Sequence, residues 1–131
     1  MKAKALSIAL ALFALSAAQA AEKNCGDLTT QMDITMCEGE KLDKADAALN
    51  AVYAKLTKKV SAGGKTKLVE AQRAWLKYRD AQCDFETLAT VGGSIHPMEV
   101  AICRAELTRE QTKRLQRQLD CQEGDASCGG Q

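Results

Sequence analysis

Proline and histidine each occur once in this 131-residue chain, aromatic residues make up only 4%, and no C-x-x-C motif is present. Each scarcity excludes something. A nucleophile-base-orienter arrangement needs a general base, most often an imidazole, and His96 is the only one this chain has. Ser94 lies close to it, but two neighbours in a loop are not a triad, so no catalytic residues are assigned. His96 is also far from any cysteine pair, which argues against zinc, and neither a metal nor a cofactor is expected. The longest apolar run, Ala5 to Leu15, is too short to span a bilayer, which takes about twenty residues. Eighteen basic against seventeen acidic residues leave no concentrated positive face of the kind that nucleic acid requires.

That short apolar run has a different meaning. Lys2 and Lys4 precede it, and Ser16-Ala17-Ala18-Gln19-Ala20 ends it in the small-x-small pattern that signal peptidase cuts, so residues 1–20 are expected to be a signal peptide. The first cysteine, Cys25, follows Ala-Glu-Lys-Asn rather than a lipobox, so no lipid anchor is expected. The remaining chain is one small domain, placed in the periplasm or secreted, and it holds all six cysteines. In an oxidising compartment an even set of cysteines in a short chain means disulfides. Without Lys2 and Lys4 the balance is sixteen basic to seventeen acidic residues, a net charge near −1.

Abundant Ala, Leu, Lys, Glu and Gln predict an all-α fold. Leu42, Asp46, Leu49, Tyr53, Leu56 and Val60 follow alternating steps of four and three, one face of a helix that can begin at Thr29 or Thr30 and that Ser61-Ala62-Gly63-Gly64 is expected to stop. A second stripe, Leu68, Gln72, Trp75, Arg79, Cys83 and Glu86, predicts a helix from about Lys65 to Thr90. Gly92-Gly93 ends it, and Pro97 suits the first turn of a third helix carrying Met98, Ile102, Ala105, Thr112, Leu115 and Leu119. Short connections predict antiparallel sequential neighbours, hence an up-down-up three-helix bundle over residues 21–120, followed by an irregular tail over 121–131.

Folding the first two helices back around Gly63 makes facing residue numbers sum to roughly 125, which sets Arg79 opposite Asp46, Trp75 opposite Asn50 and Gln72 opposite Tyr53. These six are read as a structural network on the seam, because an Asp-Arg pair with amides beside it can satisfy itself and fix register. The second hairpin, turning near Gly93, sets Cys83 opposite Cys103 and predicts a bridge there. Cys25 and Cys37 lie at the same end and are the next natural pair, leaving Cys121 with Cys128. Only the first of these three pairings carries a geometric argument, out of fifteen connectivities open to six cysteines.

The residues Cys25, Thr30-Gln31, Met36-Cys37, Ala45-Asp46-x-x-Leu49-Asn50-x-x-Tyr53, Ala71-Gln72-Arg73-x-Trp75-Leu76-x-Tyr78-Arg79-Asp80-x-x-Cys83, Gly92-Gly93-Ser94 and Cys103-x-x-x-Leu107-Thr108 resemble the pattern of the LprI N-terminal domain family. The resemblance runs to about Leu119. It implies a small exported helical domain, in a family named for a lipoprotein that inhibits lysozyme. Where that pattern leads us to expect arginine, this chain has Gln111. The expected function is therefore that of a non-enzymatic binding protein, with inhibition of lysozyme-type peptidoglycan hydrolases as its specific form. The alternative is a structural or interaction module whose partner is another envelope protein or cell-wall material.

Two surfaces are candidates for such binding. The loop containing Gly92, Gly93, Ser94 and His96 can project as a hydrogen-bonding plug into a cleft that contains carboxylates. Alternatively, Asp33, Glu38, Glu40 and Asp43 can steer a cationic partner at long range. Salt dependence separates the two, since steering weakens with ionic strength and insertion does not.

Overall fold

The computed structural model describes residues 24–122 and 124–130; the expected signal peptide, residues 1–20, lies outside them. Three helices account for most of the described chain: α1, Gln31–Lys59; α2, Ala62–Glu86; and α3, His96–Leu119. Two short 3-10 turns, Cys25–Asp27 and Leu88–Thr90, precede α1 and follow α2, and no strand occurs among the described residues.

Local chemistry sets the helix ends. The Thr30 hydroxyl accepts from the Asp33 amide at 3.1 Å and donates to the Asp33 carboxylate at 2.6 Å, which caps α1 and places an anion in its first turn. Lys58 and Lys59 occupy the last turn, where cations suit the carbonyl end of the helix. The break that follows is shorter than the sequence predicts. Only Val60 and Ser61 separate α1 from α2, so Gly63 and Gly64 sit in the first turn of α2 rather than in a linker. The reason is the Ser61 hydroxyl, which accepts from the Gly64 amide at 3.2 Å and starts the new helix before the glycines can end the old one.

The second break comes earlier than expected. Helix α2 stops at Glu86, because buried Thr87 turns its hydroxyl back onto the Cys83 carbonyl at 2.8 Å and the chain tightens into the 3-10 turn. Gly92, at φ +81°, then reverses the chain into α3, with Pro97 in its first turn as the sequence predicts.

Up-down-up order holds, but sequential helices are not the closest neighbours. Gln31 meets Met98, Asp46 meets Thr108 and Lys59 meets the end of α3, so α1 and α3 run parallel and form the most extensive helix pair. Small buried side chains explain the preference, since Ala45 on α1 and Ala101 and Ala105 on α3 let those two axes approach. Helix α2 runs antiparallel to both, packs mainly on α3, and leaves a groove toward α1.

The apolar core is lean. Leu49, Leu56 and Leu115 are its fully buried centre, flanked by Val52, Tyr53, Val60, Leu68, Trp75 and Leu119. Each buried leucine contributes about 1.5–3 kcal/mol, little for a domain of this size. Covalent links supplement it. Cys25 bonds Cys37, Cys83 bonds Cys103, and Cys121 bonds Cys128, with Cα–Cα distances of 5.7, 5.7 and 5.6 Å.

The tail folds back onto the bundle. The Gly130 carbonyl accepts from the Ser61 amide at 2.7 Å and from its hydroxyl at 2.9 Å, while the Gln118 side-chain carbonyl accepts from the Gly129 amide at 2.8 Å. Lys59 donates to the Leu119 and Cys121 carbonyls at 2.8 and 2.7 Å, tying α1 to the same end. The approach needs two bare backbones: a Cβ on Gly64 would collide with the Gly130 backbone, and Gly130 itself sits at φ +73°.

Candidate functional site

A single carboxylate oxygen joins all three helices. Asp46 Oδ1 on α1 accepts from Arg79 Nη1 on α2 at 2.9 Å and from the Thr108 hydroxyl on α3 at 3.3 Å, and Arg79 Nη1 also donates to Thr108 at 3.2 Å. The Arg79 side chain is 11% exposed, and its guanidinium lies 5.5 Å from the Trp75 ring centroid, within cation–π range. Its Nε donates to Asp80 at 3.1 Å, and Arg104 pairs with that same carboxylate at 3.4 Å. One turn away, the buried Gln111 amide donates to the Gln72 carbonyl oxygen at 3.2 Å.

Of the six residues expected in this network, Asp46 and Arg79 pair as the hairpin arithmetic suggests, whereas Trp75 lies beside the Arg79 guanidinium and lines the α2–α3 side rather than the groove that holds Asn50. Gln72 lines the α1–α2 groove with Tyr53, but its side-chain hydrogen bond is made to Gln111 on α3, the helix on which α2 mainly packs. Tyr53 packs against the leucine core, and Asn50 is exposed on the wall of the α1–α2 groove. Thr108 and Gln111 complete the set. The seam crosses the middle stretches of the helices, partly open to solvent at Asp46, beneath the end of the bundle that carries the α2–α3 connection.

At that end the termini of three helices converge, held by the Cys25–Cys37 and Cys83–Cys103 bridges. Gly92, Gly93 and Ser94 are exposed at the tip of the α2–α3 connection. His96 is turned inward. Its Nδ1 lies 2.9 Å from the Thr90 hydroxyl, which also approaches the Thr87 carbonyl at 2.8 Å. This bond closes the connection on itself and commits one His96 nitrogen to holding its shape.

Around the tip lie side chains that a solitary small domain has no internal use for. Among the described residues, Met32, Met36, Phe85, Leu88, Val91 and Ile95 are exposed, with Met32 at 73% and Phe85 at 72%. Scattered apolar residues are ordinary, but six gathered at one end suggest contact with another molecule.

Charge is divided along the same axis. Residues 24–46 and 75–107, the half bearing this tip, carry eleven acidic and five basic side chains. Residues 47–74, 108–122 and 124–130, the opposite half, carry ten basic and four acidic. Asp33, Glu38, Glu40 and Asp43 thus stand in the same half as the loop, while positions 91–96 themselves carry no acidic residue. The two surfaces that the sequence offers as alternatives are parts of one end.

Residues 21–115 match the family model described as Lysozyme inhibitor LprI. The chain belongs to this family. It is also 36% identical over 134 residues to an uncharacterized protein of Rhizobium meliloti (strain 1021), with 92% of this chain and 96% of that protein covered. No solved structure matches. The family match stops short of Cys121–Cys128, so the docked tail lies beyond it. Cys121, Asp125 and Cys128 bring ligand-type atoms within 4.8 Å of one another, but both sulfurs are consumed in the disulfide. Among the described residues no helix is long and apolar enough to cross a membrane. Three disulfides are the chemistry of an oxidising, extracytoplasmic compartment.

Proposed function

We propose that this protein is a non-enzymatic inhibitor of lysozyme-type peptidoglycan hydrolases, exported by cleavage after Ala20 and acting in the periplasm or beyond the cell. The tip formed by Val91, Gly92, Gly93, Ser94 and Ile95 is the contact surface. The observation that carries the reading is an uncharged, partly apolar tip standing in the acidic half of the bundle.

The two features have different tasks. An acidic collar raises the encounter rate with a cationic enzyme, which salt suppresses. An uncharged tip can then enter a cleft containing two carboxylates without placing like charges together. The Thr90–His96 hydrogen bond, Pro97 and the Cys83–Cys103 bridge hold the connection in shape, which lowers the ordering cost of binding.

The test is a titration of the oxidised protein, begun at Ala21, against c-, g- and i-type lysozymes in a cell-wall turnover assay. Inhibition of at least one type is expected, with an association rate that falls as salt rises and a dissociation rate that Ser94→Asp accelerates. Absence of inhibition at micromolar protein for all three types would sink the reading and leave an interaction module of the envelope.

A further inference from the structure

The opposite charge needs a partner of its own. A groove of about 560 Å³ runs between residues of α2 and α3, within the usual volume range for small-ligand sites, and its walls are chemically mixed. Trp75 lines it while also packing on the leucine core, and Tyr78, 54% exposed, stands on the same helix. From α3, Lys113, Arg114 and Arg117 line the groove together with Glu110. No ion pair among those four joins the salt bridges of the described residues, which engage Lys41, Lys67, Arg79 and Arg104 as cations.

We propose that this groove is a binding site for a saccharide bearing a carboxylate. A sugar ring presents C–H faces that stack on aromatic rings, which Tyr78 and the open part of Trp75 supply. Its hydroxyls need an acceptor as well as donors, and Glu110 beside the three cations offers both. Its carboxylate matches an arginine fork, and the three cations lie within about 6 Å of helix rise, the scale of one anionic group rather than a polymer track. A fatty acid would leave Glu110 unmatched. The groove straddles the two halves, and its cations, Lys113, Arg114 and Arg117, lie in the half away from the tip, so substitutions there leave the tip's own residues untouched.

Trp75 is the chain's only tryptophan, so binding reports itself in intrinsic fluorescence. The oxidised protein is titrated with an N-acetylmuramic acid disaccharide, with trigalacturonate, with neutral chitotriose and with a short oligonucleotide. Saturable change is expected with at least one of the carboxylated sugars, and whichever binds identifies a muramic or a uronic source. Chitotriose and the oligonucleotide should bind at least tenfold more weakly. Arg114→Ala with Arg117→Ala should weaken binding at least tenfold while circular dichroism is unchanged, whereas Arg73→Ala, outside the groove, should have no effect. No response to either acidic sugar, equal binding of the neutral sugar or the oligonucleotide, or unaltered binding by the double variant would each overturn the proposal.

Discussion

Gln72 and Gln111 join side chain to side chain at 3.2 Å, each buried and each from a different helix. Where the family resemblance leads us to expect a cation at 111, this chain holds an amide, and α2 offers the matching carbonyl oxygen. A neutral pair avoids the desolvation cost of a buried charge. Gln111→Leu should destabilise by about 1–3 kcal/mol, because the Gln72 amide loses its partner in a buried site. Gln72→Leu with Gln111→Leu should recover much of that loss, and urea denaturation of the single and double variants measures the coupling.

Arg79→Ala should lower stability by about 1–3 kcal/mol, short of the cost of breaking a fully buried pair because the Asp46 side chain is 41% exposed and water can replace the lost donor. Asp46→Ala tests the other direction, leaving the more buried guanidinium with Asp80 as its one carboxylate partner and the Thr108 hydroxyl beside it. Thermal unfolding that is unchanged in both variants would remove the three-helix junction as a structural element.

The disulfides should rank by enclosed loop and by burial. Cys83–Cys103 spans 20 residues with Cys83 fully buried, Cys25–Cys37 spans 12, and Cys121–Cys128 spans 7. Paired Cys→Ala substitutions should therefore cost most at the first, about 2–5 kcal/mol, and least at the last. Chemical denaturation under oxidising conditions gives the order.

Gly64→Ala should displace the tail without unfolding the bundle, since the added methyl meets the Gly130 backbone. Faster hydrogen exchange at the Ser61 amide, which donates to Gly130, is the readout. Acid should loosen the tail by another route. The Ser127 amide, then its hydroxyl, hold the Asp125 carboxyl below its ordinary value near about 4. A depressed carboxyl pKa favours the folded turn above the unfolded value and loses that effect as pH falls through the folded one. The Ser127 amide resonance should therefore stay constant at neutral pH and move only in strong acid.

Helix periodicity and the hairpin rule were enough to place Asp46 against Arg79 and Cys83 against Cys103, because both depend on which face a residue occupies. They were blind to which pair of helices packs closest. Ala45, Ala101 and Ala105 decide that by being small, and small residues register weakly in any hydrophobic stripe. Thr108 stood in the family pattern without a partner, since a threonine that bonds across helices looks in sequence like any polar position. Its spacing from Ala101 and Ala105, at i+7 and i+3, was the signal available. Gly63-Gly64 misled for a different reason: glycine pairs usually end helices, and here the backbone of a distant tail requires one of them bare.

The division of charge described above also bears on how the protein behaves toward copies of itself. Two halves of opposite sign on a chain of near-zero net charge form a head-to-tail attractive pair, and a heterologous contact of that kind propagates instead of closing. In dilute buffer the molecules should associate into open chains. Raising ionic strength, which shortens the screening length to about 10 Å at 0.1 M, should dissolve them, so this is a protein that salts in.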